Sequence, residues 1–141
     1  FKRILGFEYE VRNLPYERFI QTDLTDPYMP SATKAMEDLV THITTKYAGK
    51  KLGVFCSNDD IAGLFERQCI KKGISIPETV ELIGYDNSPG SNNAILPITS
   101  VDQNISLMAQ IAIQSLDNYI PYESMVPAAL IEKETTSRSP L

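Results

Sequence analysis

The stretch Lys51 to Pro89, KLGVFCSNDDIAGLFERQCIKKGISIPETVELIGYDNSP, decides the fold, because it reads as one complete strand, helix, strand unit. Leu52 to Cys56 and Val80 to Tyr85 are short apolar runs, the pattern of parallel strands buried on both faces. Between them Asn58 or Ser57 can cap a helix. Asp59 and Asp60 place negative charge in its first turn, and Lys71, Lys72 and Gly73 suit its C-terminal end. Ile61, Leu64, Phe65, Cys69 and Ile70 recur at spacings of three and four, so this set is expected to lie against the sheet.

A right-handed crossover leaves the C-terminal ends of both strands on one edge of the sheet. Open parallel sheets bind ligands in the crevice beyond those ends. This chain places Ser57-Asn58-Asp59-Asp60 after the first strand and Asp86-Asn87 after the second. Asn58 both donates and accepts hydrogen bonds, and the Asp86 carboxylate accepts them from paired hydroxyls, which makes both candidate ligand-binding residues. The same residue types also serve ordinary helix caps and turns.

Outward from this unit the chain resembles a known family. SNDDIA, KKGISIPETV and ELIGYDN, followed by LPITSVDQN and LIEKETTS, are similar in order and spacing to the ligand-binding core of the LacI/GalR family of bacterial transcription regulators. The resemblance covers nearly the whole chain. It implies the C-terminal lobe of a periplasmic-binding-protein-like type I fold, an open, mostly parallel α/β sheet with helices on both faces. Residues 1–101 would form that lobe, 102–121 a segment belonging to the N-terminal lobe, and 122–141 the return strand and tail. It also implies that the helix-turn-helix domain and most of the N-terminal lobe are missing from this sequence.

Before the central unit, Phe1 to Val11 reads as a helix that starts without a cap. In the resembling family an arginine at the place of Arg3 in RILGF points into the cleft, and a guanidinium grips a pair of hydroxyls or a carbonyl bidentately. Arg18 to Asp23 is expected to be a short strand, with Leu24 just past its end. Family members often place a ligand-stacking aromatic residue there; leucine departs from that pattern, and Tyr28 is the nearby substitute. Ala32 to Tyr47 follows as a helix with Ala35, Met36, Leu39, Val40 and Ile43 inward.

Beyond the unit, Asn87 to Asn93 is rich in turn formers and reads as a loop at the cleft mouth. Ile98 to Val101 is a short strand, and Asn104 to Ile120 a helix with an apolar stripe of Ile105, Met108, Ile111, Ala112, Leu116, Tyr119 and Ile120. The resemblance buries that stripe against the N-terminal lobe, so without that lobe the helix is expected to pair with a second copy or repack. Met125 to Glu132 is the final strand, and Lys133 to Leu141 reads as a polar tail.

Composition narrows the function classes. The chain has 141 residues, 43% hydrophobic and 22% charged, with a net charge of −5, which suits one globular domain and lacks the basic footprint of a nucleic-acid-binding surface. Cys56 and Cys69 have neither CxxC spacing nor neighbouring histidines, so no metal is expected and both read as small buried hydrophobes. His42 sits among threonines and reads as a surface residue, and nothing pairs it with a nucleophile; no catalytic residues and no cofactor are expected. A nucleotide-dependent enzyme would need a phosphate cradle, and neither GxGxxG nor a P-loop occurs.

The expectation is therefore a cytoplasmic, non-enzymatic sensor that takes a small effector, a sugar before other metabolites, at Arg3, Leu24, Asn58 and Asp86. The resemblance implies a homodimer, operator DNA bound only through the missing domain, and no membrane. The alternative is the sugar-binding receptor of a transport system, which shares the two-lobed fold but carries an export signal.

Overall fold

The structure, a computed structural model, describes residues 2–15, 26–118 and 125–137. Along the chain run α1 (Lys2–Val11), α2 (Pro30–Lys46), β1 (Leu52–Phe55), α3 (Asp59–Lys71), β2 (Val80–Tyr85), α4 (Pro89–Asn92), β3 (Thr99–Asp102), α5 (Ile105–Asn118) and β4 (Ala129–Ile131). The strands form one sheet in the order β1-β2-β3-β4. β1 pairs parallel with β2 in the register Leu52 to Val80 through Phe55 to Ile83, and β2 pairs parallel with β3. β4 closes the described sheet antiparallel to β3, with Val101 opposite Leu130. The expected open, mostly parallel α/β sheet is the observed one.

Strand alternation divides the residues between the two faces. Val80 and Leu82 of β2 point to the face covered by α3, and their register partners Leu52 and Val54 share it. On α3, Ala62, Leu64, Phe65 and Cys69 are buried, and α2 adds Ala32, Met36, Val40 and Ile43 to the same cluster. A side chain such as Phe65 or Leu82 contributes about 1.5–3 kcal/mol by leaving water, and both are almost fully enclosed. Phe55, Ile83 and Tyr85 point to the opposite face, where Phe7 of α1 stacks on Phe55 with centroids 5.4 Å apart. Helices therefore lie on both faces.

Local chemistry sets the helix ends. Asn58, rather than Ser57, caps α3: its side chain accepts the Ile61 N–H at 2.8 Å. Gly73 follows the helix at φ +70°, a left-handed position that suits glycine. Pro30 opens α2, where its missing N–H has no helical partner to lose.

Several expectations need correction. Ile70 of α3 is exposed and Ala35 of α2 faces solvent, because the packed stripes centre on Phe65 and Cys69 and on Met36 and Val40. The supposed loop 87–93 contains the single turn α4, whose Ser91 is fully buried. The final strand shrinks to three residues. The start of the supposed polar tail is built into the fold: Thr135 is fully buried, its hydroxyl donates to Leu82 O at 2.7 Å, and it accepts the Thr99 N–H at 2.9 Å. The expected strand 18–23 lies outside the described residues, as do Tyr119 and Ile120.

Candidate functional site

Both parallel crossovers bring strand C-termini to one edge, and four chain segments meet there. Arg3, in the first turn of α1, reaches across to the end of β2. Its Nη2 donates to Asp86 Oδ1 at 2.9 Å and its Nη1 to the carbonyl of Ser57, just beyond β1. The guanidinium lies over the Tyr85 ring, 4.0 Å from its centroid, a cation–π geometry that fixes its plane. From the segment after β3, Gln103 Nε2 also donates to Asp86 Oδ1.

The two carboxylate oxygens of Asp86 are unequally used. Oδ1 takes both Arg3 and Gln103, whereas Oδ2 has only a long 3.4 Å contact to Arg3 Nη1. With side-chain exposures of 34% and 31%, Arg3 and Asp86 remain within reach of a ligand from solvent. A carboxylate oxygen has room for two donors, so Oδ2 can accept from a hydroxyl while Arg3 donates to a neighbouring oxygen. A cleft of about 450 Å³ lies beside the pair, lined by Arg3, Gly6, Phe7, Glu10, Phe55 and Tyr85. Its walls are largely aromatic, and Tyr85 stands edge-on to Phe55 at 6.3 Å.

The backbone at this point is unusual. Asp86 has φ +102° and Asn87 φ +46°, consecutive non-glycine residues in left-handed territory. Such positions cost about 1–3 kcal/mol each and persist only where the surroundings over-determine them. Here they do. The Asp86 N–H donates to Val101 O at 2.9 Å, the Asn87 N–H to Ser100 Oγ at 3.0 Å, and the Ser88 N–H to Asp59 Oδ2 at 2.6 Å. Asp59 is 3% exposed, and its Oδ1 accepts the Ser100 hydroxyl at 2.6 Å, so this carboxylate ties α3, β3 and the turn after β2 together. Gly84 is required beside it, since a Cβ there would collide with Asp59 Oδ1.

Of the residues expected from sequence, Arg3 and Asp86 are brought into direct contact. Asn58 stands next to Ser57 at the same edge, but its Oδ1 is committed to the α3 cap, which leaves Nδ2 as the atom it can offer a ligand. Leu24 lies outside the described residues. Tyr28, just before α2, is highly exposed, and a hydrogen bond to Asp60 in the first turn of α3 raises its hydroxyl pKa. Sequence reasoning missed Gln103, Tyr85 and Phe55; their positions at the ends of β3, β2 and β1 were the available signal. Burial pushes both Cys56 and Cys69 up to about 12, which keeps them as inert thiols. Among the described residues no group of three or more His, Cys, Asp or Glu side chains could hold a metal ion.

Comparison with known proteins gives the same architecture. Residues 2–137 match the family model of the periplasmic binding protein-like domain. The ribose operon repressor of Halalkalibacterium halodurans is 29% identical over 96% of this chain and 39% of its own length. The lac repressor dimer bound to operator and the anti-inducer ONPF superposes with a TM-score of 0.75 at 16% identity, over 95% of this chain and 46% of that one. A LacI family transcriptional regulator from Enterococcus faecium with bound ribose gives a TM-score of 0.57 at 22% identity, over 74% of this chain and 40% of that one. The chain thus spans less than half of the length of each of these relatives, from 39% to 46%.

Proposed function

The chain belongs to the periplasmic binding protein-like domain family, in the form that LacI-type regulators carry, and from that membership we propose that it is the effector-sensing lobe of a transcription regulator. Residues 1–101 make the lobe proper, 102–121 pass to the other lobe, and 122–141 return. The effector is a small polyhydroxylated molecule, a sugar before a nucleobase, and it binds without being transformed. The observation that carries this reading is the Arg3–Asp86 pair at the strand edge, with Asp86 Oδ2 open to a further donor. Arg3 donates to a ligand oxygen, Asp86 accepts from an adjacent hydroxyl, and Asn58 contributes its Nδ2. A repressor of a ribose operon and a ribose-bound structural relative favour a pentose.

The wider activity follows the relatives. The protein acts as a cytoplasmic homodimer, contacts operator DNA through a separate helix-turn-helix domain, and uses effector binding to bias the orientation of its lobes. Among the described residues no helix is long and apolar enough to cross a membrane. The test is a thermal-shift panel on the complete protein with D-ribose, other pentoses, hexoses and nucleobases. A selective rise in melting temperature with a sugar, together with effector-dependent release of a DNA fragment, is the expected result. Sugar binding by a protein that never binds DNA would favour the transport receptor, and a panel without any stabilising ligand would overturn the sensor reading.

A further inference from the structure

Behind the ligand-facing edge lies a second set of polar contacts that involves no ligand-facing atom. Lys133, just after β4, sends its ammonium group under the turn that follows β2. Its Nζ donates to Asn87 Oδ1 at 2.9 Å and to Ser91 Oγ, on the buried side of α4, at 2.8 Å. Its backbone N–H donates to Thr99 Oγ1 at 2.8 Å, which fixes the start of the side chain against β3. Asn87 Nδ2 donates to Asp102 Oδ2 at 3.2 Å, and the Asn87 N–H to Ser100 Oγ at 3.0 Å. Asn87 is therefore held through its backbone amide and both ends of its side-chain amide. Lys133 supplies the hold that comes from outside β3.

We propose that Lys133 is a positioning residue for the binding site: it clamps Asn87 and so holds the left-handed Asp86–Asn87 pair in the geometry that aims the Asp86 carboxylate at the effector. Two consecutive residues at positive φ relax toward ordinary backbone unless something holds them. A rotation about the Asn87 backbone would move Asp86 relative to Arg3 and Gln103, since these meet its side chain from two other segments. Burial pushes the Lys133 ammonium below its ordinary value, and the nearby carboxylates of Asp59 and Asp102 offset that shift only in part. The consequence is mechanical: the Asp86 carboxylate is tied directly to the chain leaving β3 by Gln103, and through Asn87 to the chain leaving β4 by Lys133.

The inference rests on the reading of Asp86 as an effector ligand, and two measurements separate its failure from the failure of that reading. The first needs no effector. Amide hydrogen exchange on the complete protein is expected to rise about tenfold or more at Asn87 in Lys133→Met, with Leu82 unchanged. Unchanged exchange at Asn87, or a rise shared equally by Leu82, would overturn the clamp. The second is calorimetric titration with D-ribose. Lys133→Met is expected to weaken binding about tenfold in the wild-type background and less than twofold in Asn87→Gly, where glycine takes the left-handed turn unaided. Equal losses in both backgrounds would assign Lys133 a merely structural role. If wild-type protein ignores D-ribose, the pentose reading fails, and the exchange experiment still decides the clamp. Should Lys133→Met not fold, Asn87→Ala breaks the same contact from the other side, and exchange at Ser88 carries the same two outcomes.

Discussion

In the proposed site Asn58 would serve structure and binding through separate atoms. Its Oδ1 caps α3, and such a cap is worth about 1 kcal/mol, so a loss of effector affinity in Asn58→Ala would mix two effects. Glu66 is a different case. It is fully buried in α3, and its two carboxylate oxygens receive the Leu96 N–H at 2.6 Å and the Ile95 N–H at 3.3 Å, pinning the segment before β3. Burial pushes its carboxyl above the ordinary value of 4.5, and those two amides only partly oppose the shift. A carboxyl with a raised folded-state pKa gives stability that is complete below the unfolded pKa and is lost as pH rises through the folded value. Glu66→Gln removes that titration. The melting temperature of wild type relative to Glu66→Gln should therefore fall as pH is raised from 4.5 toward neutrality, and parallel curves across that window would contradict the assignment.

At the scale of elements, the central unit was legible because its signals are local. The β2 limits, the Asn58 cap and the Gly73 stop all follow from neighbours a few residues away. What escaped depends on distant partners. Thr135 reads as tail until its hydroxyl meets Leu82, 53 residues earlier in the chain, and Lys133 reads as a solvated charge until Asn87 and Ser91 are placed beside it. Glu66 interrupts no apolar pattern, since its acceptors face a loop that no periodicity describes. Asp86 was found from its place just beyond a strand end, and Arg3 through resemblance, because no local pattern distinguishes a cleft arginine from a solvated one. The α5 helix was also legible, but the stripe expected on it is uncovered in this structure: Ile105, Met108 and Leu116 are exposed, Leu116 by 82%, and Ile113, outside that stripe, is exposed as well. Exposed substitutions usually change stability by less than about 0.5 kcal/mol. Ile105→Glu and Leu116→Glu in the 141-residue chain should then leave its urea midpoint nearly unmoved, contrary to the self-pairing expected from the sequence, and a clear loss would mean that a second copy or repacking covers this face in solution.

Across the molecule, one sheet edge collects what four separate segments supply: Arg3 from α1, Ser57 after β1, Asp86 after β2 and Gln103 after β3. No two of these are neighbours in sequence, so the site exists only when both crossovers have formed. The proposed binding role suits this arrangement: its carboxylate is held by charge-assisted bonds, both cysteine thiols are buried, and Phe7, Phe55 and Tyr85 line the cleft. Partly open to solvent, the Arg3–Asp86 pair contributes no more than about 1 kcal/mol to the stability of the free protein. The decisive measurement is a calorimetric titration of the complete protein and its Asp86→Asn variant with the sugar that stabilises the wild type. Tenfold or greater weakening in Asp86→Asn, about 1.4 kcal/mol or more, with the melting temperature of the free protein nearly unchanged, is the expected result. Equal affinity in the two proteins would place the effector elsewhere and contradict the assignment of this edge as the binding site.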